Sequence, residues 1–407
     1  MLTEFPENNP ADSDLDLTRW MIRHADAELA AEDLPQHPLG LAVYFRKRFD
    51  PDQTKWLCEL AELRTRAGAK FAKADKMFFT RRGYEQSTSE LIASYKSQRY
   101  SQCDSVIDLC AGIGGDAIGI GRQGCKLAMV DASESMMEIA TANLRVHGLS
   151  DIEPIVSDAR NIDLQRYSAW HLDPDRRVGD TRRSSPNHGD PPLDAFLRDC
   201  SHPHGAVKLA PGADLVDVAV EGAEFEWIGS GHECQQLVVW CGDLAKVTDK
   251  RTATWVWLTD GEVQSETLVD SEECSSESNF RRSASCEQFV YEPRPSILAA
   301  GLQDAACARW GLRRLASGCP YLTSDAVVES MLLRRFKVLE VVPFRKRNLQ
   351  KIVERLGLRV REVKTRGVDV SPQPLLAQLQ HGDGDDAVVL LFRNQHSLQA
   401  ILARREN

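Results

Sequence analysis

Acidic residues recur in the first half of the chain, each at the end of a short apolar segment. Val106–Leu109 contains Asp108 and leads into the glycine-rich turn Cys110–Gly115, and Lys126–Val130 is followed by Asp131. Glycines let a backbone approach a ligand closely, and the helix that follows offers free amide groups. An acid about twenty residues beyond such a turn is where dinucleotide-type folds hold ribose hydroxyls. The pattern therefore predicts a site for an adenosyl cofactor.

Two more acids follow predicted strands further along the chain. Asp158 comes after the strand at 153–156, and Asp173-Pro174 come after Trp170–Leu172. The carboxyl ends of parallel strands meet at one edge of a sheet, so these acids are expected to line one crevice with the two acids described above.

Hydrophobic spacing and turn signals predict an α/β domain that lies between N-terminal helices and a small C-terminal α/β module. The predicted helices are Leu15–Ala31, Pro38–Phe49, Thr54–Lys73, one that starts near Ser87 or Thr88, Asp116–Arg122, Glu134–His147, Leu193–Cys200 and Ile297–Leu315. Later strands are predicted at Ala206–Leu209, Gln235–Cys241 and Thr252–Leu258, the last two as an antiparallel pair that completes the sheet. The acidic, serine-rich segment Glu262–Ser285 is predicted to be a loop or insertion. Strands and helices of the C-terminal module are predicted to alternate over Phe336–Val342, Lys346–Leu356, Arg359–Lys364, Pro372–Gln380 and Ala387–Phe392.

The glycine turn, which reads DLCAGIGGD, and the order of the acids resemble class I methyltransferases that use S-adenosylmethionine. The turn is similar to those of several RNA methyltransferases, among them trimethylguanosine synthases, and the resemblance covers roughly Glu85–Leu258. It implies a Rossmann-like sheet, parallel with an antiparallel hairpin at its end. By this resemblance Asp108 and the loop backbone hold the methionine moiety, Asp131 the ribose and Asp158 the adenine, while the preceding helix covers the cofactor. The implied cofactor residues are Glu85, Gln86, Asp108, Ala111, Gly112, Gly114, Gly115, Asp131, Ala132, Asp158 and Ala159.

A closer resemblance extends over most of the chain, to bacterial methyltransferases with a THUMP-like C-terminal domain, whose substrate is unsettled. It is carried by Glu85–Lys96, Asp173–Arg177, Val207–Asp214, Glu224–Trp240 and Lys364–Val370. With the predicted elements it implies an N-terminal helical region (1–84), a methyltransferase domain (85–260), an acidic insertion with a bridging helix (261–320) and a THUMP-like domain (321–407).

The segment DPDRR is the predicted catalytic segment and comprises Asp173, Pro174, Asp175, Arg176 and Arg177. Methyltransferases of amino groups commonly carry Asp or Asn, two prolines and an aromatic here, and the acid and a carbonyl accept hydrogen bonds from the target amine. Only Asp173 and Pro174 match that motif. Arg176 and Arg177 could bind a phosphate or carboxylate bidentately, or could pair with acids on a solvated loop.

The cysteines do not form a recognisable metal or disulfide pattern. Eleven are scattered along the chain without a CxxC pair. Cys200, His202 and His204 have no second ligand cluster, so we interpret them as a polar turn and predict no metal site. Covalent catalysis would need a thiolate beside the substrate, and we interpret Cys110 as a small packing residue. Direct methyl transfer is therefore predicted.

Charge is unevenly distributed along the 407 residues, whose formal net charge is −10. From Tyr321 onward Lys and Arg exceed Asp and Glu by five, which predicts nucleic-acid contact by the C-terminal module, through Phe344–Lys351 and Lys364–Arg366. An ordinary solvated basic face is the alternative. The polar first residues and the lack of an apolar run of membrane-spanning length predict a cytoplasmic protein with no membrane contact.

Together these features predict an S-adenosylmethionine-dependent methyltransferase that acts on a base nitrogen of structured RNA. One alternative is methylation of a small anionic metabolite held by Arg176 and Arg177. Another is a catalytically degenerate methyltransferase fold that binds RNA. The oligomeric state is not predicted.

Overall fold

The computed structural model describes residues 15–175, 177–178, 181–182, 187, 189–200, 202–215, 218, 220–270, 286–316, 318–379, 384–394 and 397–406. These residues form two compact units. The first comprises residues up to 225 together with 236–249 and 256–264, and the second comprises 226–235, 250–255 and the residues from 265 onward.

Helices precede the first strand, as the apolar spacing predicts. They are α1 Leu15–Leu29, α2 Pro38–Arg46, α3 Pro51–Ala67, α4 Arg81–Gln86 and α5 Glu90–Ser97. Asp50 and Gln53 form a reciprocal capping box at the start of α3, which places its first turn upstream of the predicted Thr54. The helix α4 was not predicted, because six residues are too few to show a helical period. Its N-cap is Thr80, whose hydroxyl accepts from the amide of Gly83.

A mixed sheet forms the framework of the candidate site. Its strands, with the short separate pair β5–β6, are β1 Ser105–Leu109, β2 Lys126–Asp131, β3 Ile152–Val156, β4 Ala169–Leu172, β5 Arg177–Val178, β6 Thr181–Arg182, β7 Gly205–Leu209, β8 Glu224–Ser230, β9 Glu233–Cys241, β10 Lys250–Thr259 and β11 Glu262–Val269. The helices between them are α6 Gly115–Gly121, α7 Glu134–Val146 and α8 Leu193–Asp199. The order β3-β2-β1-β4-β7 is parallel, and β9 runs antiparallel to β7. The predicted Rossmann-like sheet with an antiparallel end is confirmed.

Two predictions for the end of this sheet are wrong. The segments 235–241 and 252–258 do not pair with each other, because β8 lies between β9 and β10 in the order β11-β10-β8-β9-β7. Glu224 and Glu226 interrupt the apolar pattern of β8, so the sequence does not indicate a strand there. Both are nevertheless buried. Arg99 pairs with Glu224 at 2.6 Å, and the Thr254 hydroxyl donates to Glu226 at 2.6 Å. The predicted loop 262–285 begins with the strand β11, and its residues 271–285 lie outside the described part of the chain.

The second unit carries its own seven-stranded sheet, in the order β13-β14-β12-β15-β18-β17-β16. Its elements are β12 Phe289–Pro293, α9 Pro295–Ala300, α10 Gln303–Trp310, β13 Arg313–Arg314, β14 Leu322–Ser324, β15 Leu333–Pro343, α11 Lys346–Arg355, β16 Leu358–Thr365, α12 Pro372–Leu379, β17 Asp385–Arg393 and β18 Leu398–Glu406. The predicted alternation from 336 to 392 is confirmed, and β18 was not predicted. The predicted helix 297–315 is wrong: Gly301, with a φ of 70°, ends α9, and β13 follows α10.

Candidate active site

A cavity of about 470 Å³ lies at the carboxyl ends of β1, β2 and β4. Its volume is in the range of small-molecule and cofactor sites. Six aspartates line it, and Arg82 is the one basic residue among its described lining. They are Asp108, Asp116, Asp131, Asp173, Asp175 and Asp190. The cavity is therefore suited to a ligand that carries positive charge.

The structure brings most of the predicted site residues together. Those that line the cavity are Gln86, Asp108, Ala111, Gly112, Gly115, Asp131, Ala132, Asp173 and Pro174. Those outside its lining are Glu85, Gly114, Asp158 and Ala159, and the Asp158 carboxylate is held by Arg160. Arg176 lies outside the described residues, and only the backbone of Arg177, in β5, is described. The roles of all these residues remain predictions.

The glycine turn is fixed by the acid at the end of β2. The amide of Gly112 donates to Asp131 Oδ2 at 2.9 Å, and the amide of Ser133 donates to Oδ1 at 2.9 Å. Burial raises the pKa of Asp131, and these two amides oppose the rise. Gly115 leaves little room for a side chain, because a Cβ there would lie 3.0 Å from the carbonyl oxygen of Thr88 and this backbone would have to shift by a few tenths of an ångström. The turn is thus held open to the cavity by contacts to neighbouring segments.

A chain of buried ionisable groups connects Asp108 to Asp173 beneath the cavity. His171 Nδ1 lies 2.8 Å from Asp108, and His171 Nε2 lies 3.4 Å from Lys96 Nζ. Lys96 pairs with Asp116 at 2.7 Å. Lys208 Nζ lies 3.9 Å from Asp116 and 2.5 Å from Asp173 Oδ2. The sequence analysis missed Lys96, Asp116, His171 and Lys208 as parts of the site.

The signal for two of these missed residues was present in the sequence. His171 and Lys208 each interrupt an apolar strand, and a buried charged or polar group is retained only when it has a partner. The other two carried no such signal, because Lys96 sits in an amphipathic helix and Asp116 in the first turn of α6, where an acid is common.

Two acids of this network, Asp108 and Asp116, differ in their electrostatics. Burial raises the pKa of Asp108, and its Oδ2 atom has no hydrogen-bond partner among the described residues. Burial also acts to raise the pKa of Asp116, but the charges of Lys96, His171 and Lys208 outweigh it and hold that pKa well below its usual range. Asp116 is thus a fixed negative charge, and Asp108 offers an unused acceptor.

Cys110 lines the cavity and does not only pack beside it. Its φ of 61° is uncommon for a residue with a side chain. Burial, reinforced by the charge of Asp131, raises the pKa of its thiol well above the usual value. A reactive thiolate is therefore disfavoured, which supports the predicted direct transfer.

Residues of α4 and of the turn after it line one side of the cavity, whereas no residue of α5, the helix predicted to cover the cofactor, belongs to the described lining. Arg82 pairs with Asp175, and Gln86 Nε2 donates to the same carboxylate at 3.1 Å. A Cβ on Gly83 would lie 2.4 Å from a methyl group of Ile113, so α4 packs directly on the glycine turn.

The histidines after α8 and the tryptophans predicted to be in the core lie in a turn and on strands, respectively. His202 Nδ1 accepts from the amide of His204, and His204 Nδ1 accepts from that of Asp243, so both rings are engaged in a turn. No group of three metal-ligating side chains occurs among the described residues. The tryptophans predicted to be in the core are buried at three positions and half-buried at the last: Trp227, Trp240, Trp255 and Trp257.

The basic residues of the second unit fall into two sets. Arg334, Lys364 and Arg366 all contact the buried carboxylate of Glu292, at 3.4, 2.8 and 3.0 Å. By contrast, the cations at the start of α11 are exposed and form no ion pair with the described residues. This exposed set is Arg345, Lys346, Arg347 and Lys351.

Comparison with known proteins agrees with these features. Residues 333–405 match a family model described as THUMP domain-like. An uncharacterised S-adenosylmethionine-dependent methyltransferase of Mycobacterium tuberculosis is 26% identical over 374 residues, which span 88% of this chain and 98% of that protein. A crystal structure from Porphyromonas gingivalis W83, solved as a candidate methyltransferase, aligns over 100% of both chains with a TM-score of 0.73 and 19% identity.

No described helix combines the length and apolar character needed to cross a membrane. The TM-score shows a shared fold, and the match to the mycobacterial relative extends over most of this chain and nearly the whole length of that protein. The predicted resemblance to S-adenosylmethionine-dependent methyltransferases with a THUMP-like C-terminal domain is thus confirmed, and with it the enzyme class and the cofactor.

Proposed function

We propose that the protein methylates a base nitrogen of structured RNA by direct transfer from S-adenosylmethionine, in the cytoplasm. The observation that carries the proposal is the state of the Asp173 carboxylate. Its Oδ2 is held by Lys208, and no described residue contacts its Oδ1, although the residue lines the cavity. An oriented acceptor is therefore available beside the glycine turn.

The residues around the cavity fit the cofactor. The unpartnered Asp108 Oδ2 suits an ammonium group, and the Asp131 carboxylate retains acceptor capacity for ribose hydroxyls beyond its two amide contacts. When bound, S-adenosylmethionine supplies a methyl group activated by a positively charged sulfur. The six acids of the lining favour that charge.

Asp173 would orient the methyl acceptor. Its Oδ1 can accept a hydrogen bond from an exocyclic or ring N–H, which turns the nitrogen lone pair toward the methyl group. The same oxygen can afterwards take the proton that the nitrogen loses. Holding the acceptor in this geometry supplies most of the rate in a direct transfer.

The charge of the cavity argues for a base and against an anionic metabolite. The lining has six aspartates and one arginine, so its excess of acids repels a phosphate or carboxylate. The arginine, Arg82, already pairs with Asp175. A flipped or unpaired base is uncharged, and it can enter while its phosphates stay outside.

Phosphate contacts are available on α11. Arg345, Lys346 and Arg347 occupy its N-cap and first turn, where the helix dipole disfavours cations. Because that placement costs helix stability, it calls for a functional reason. Contacts with an RNA backbone provide one.

Nucleosides from a strain that lacks the gene test the proposal by mass spectrometry. We expect one methylated base to disappear, and to return with the wild-type gene but not with Asp173→Ala. Restoration by Asp173→Ala would favour a binding protein with a degenerate site. An unchanged nucleoside profile would refute the RNA substrate.

A further inference from the structure

Lys208 is a buried cation that contacts residues of the cavity lining without belonging to that lining itself. It lies on β7 between the buried residues Val207 and Leu209, and its side chain is 6% exposed. Its ammonium group contacts Asp173 Oδ2 at 2.5 Å and the backbone carbonyl of Gln86 at 3.1 Å. It also lies 3.9 Å from Asp116.

Stability does not explain a lysine at this position. A buried ion pair contributes little more than well-packed apolar residues of similar volume, because both charges must leave water. An apolar residue would continue the apolar pattern of β7. The lysine instead contacts an acid and a backbone carbonyl that both belong to cavity-lining residues.

We propose that Lys208 is a positioning residue for the methyl acceptor. By occupying Oδ2, it leaves Oδ1 as the only free oxygen of Asp173, and its second contact, to Gln86, fixes where the ammonium group lies. Asp173 is therefore presented in one orientation, with its acceptor atom available to an N–H group. This inference rests on the proposed role of Asp173 but not on the acceptor being RNA.

The test uses the full-length protein and an acceptor source of any class. Extract from a strain lacking the gene is incubated with S-adenosylmethionine labelled in the methyl group, and the label is then divided into ribonuclease-sensitive and ribonuclease-resistant fractions. Lys208→Met, Lys208→Arg, Asp173→Asn and the double variant Lys208→Met/Asp173→Asn are compared with wild type. Arg99→Met is the matched control, because it removes another buried cation of the same unit, one that pairs with Glu224 and not with an acid of the cavity lining.

We expect Lys208→Met to lower the rate at saturating extract by about a hundredfold, as a misplaced reacting group does. The extract concentration for half-maximal rate and the affinity for S-adenosylhomocysteine should change by less than about threefold, since neither requires the orientation of Asp173. Lys208→Arg should recover part of the rate. In the double variant, Lys208→Met should add almost nothing to the loss caused by Asp173→Asn, because it acts through that residue.

Three results would overturn the inference. One is a Lys208→Met rate within about threefold of that of Arg99→Met, each per folded protein. Another is full additivity of the losses in the double variant. The third is a folded Lys208→Arg protein no faster than Lys208→Met. Label in the ribonuclease-resistant fraction alone would instead refute the RNA substrate and leave the role of Lys208 standing.

Discussion

The exposed cations at the start of α11 allow a test in which stability and binding should change in opposite directions. We consider the variant Arg345→Gln/Lys346→Gln/Arg347→Gln. None of these side chains pairs with a described acid, and the N-cap Arg345 provides no side-chain cap for the helix amides. Their removal therefore breaks no described contact.

The expected magnitudes follow from their positions. A cation in the first turn costs about 0.3–1 kcal/mol through the helix dipole. Removing three should raise the free energy of unfolding by about 1–3 kcal/mol at low salt. If all three contact phosphates, the slope of log affinity against log salt should fall by about two to three, and RNA affinity near 0.1 M salt by about a hundredfold.

Thermal melts and filter binding of total RNA over a salt series measure both effects. The matched control is Arg359→Gln/Arg361→Gln/Arg404→Gln, which also removes three positive charges. Arg359 and Arg361 both pair with Asp386, at 2.7 and 3.0 Å, and Arg404 pairs with Asp385. The control should therefore keep most of its RNA affinity.

The reasoning fails if the α11 variant binds RNA with the wild-type affinity and salt slope. It also fails if the control loses as much binding, because net charge alone would then explain the effect. A lower melting temperature for the α11 variant would also contradict the reasoning, which holds that these cations destabilise the helix and are present because they bind RNA.

Three further predictions concern single residues. Asp131→Asn should weaken S-adenosylhomocysteine binding by about tenfold to hundredfold in calorimetry, because the side-chain NH₂ that replaces one carboxylate oxygen cannot accept from a backbone N–H group. The control Asp163→Asn alters an acid that caps an exposed turn and should not weaken this binding. Glu292→Gln should cost about 3–5 kcal/mol of stability, because it removes the buried carboxylate that Arg334, Lys364 and Arg366 share. Burial acts to raise the pKa of Glu292, but the paired cations lower that pKa overall. The stabilisation from this carboxylate is therefore complete above the ordinary value of 4.5 and is lost as pH falls through the lower pKa of the folded protein. The stability of Glu292→Gln should depend less on acid than that of wild type, and an equal dependence would contradict this. Cys110→Ala should retain methyl transfer within about threefold, and complete loss would reopen a covalent route.

Local sequence patterns were enough to predict that the glycine turn, Asp108 and Asp131 line one cavity. The glycine turn, Asp108 and Asp131 lie within 24 residues of one another, and their geometry depends on two adjacent parallel strands. Such a unit is specified by its own strand, turn and helix signals.

The acceptor side depends on contacts that sequence spacing does not reveal. Lys208 meets Asp173 across 35 residues because β7 pairs with β4. Lys96, on α5, meets His171, on β4, across 75 residues. A histidine or lysine in an apolar strand signals a buried partner without identifying it.

The misassigned end of the sheet has a related cause. Glu224 and Glu226 make β8 look like a loop, and their burial depends on partners distant in sequence, among them Arg99 for Glu224 and Thr254 for Glu226. Gly301 shows the reverse case, in which one residue with a left-handed backbone divides a segment whose apolar spacing is continuous.

The six aspartates around the cavity also have a consequence for product release. Methyl transfer turns the positively charged sulfur of the cofactor into a neutral thioether, while the acids of the wall, apart from a proton that Asp173 can take up, are unchanged. Their attraction is therefore stronger for the reagent than for the spent form. An enzyme built this way should exchange one for the other readily, and should continue to turn over in a cell where the spent cofactor accumulates.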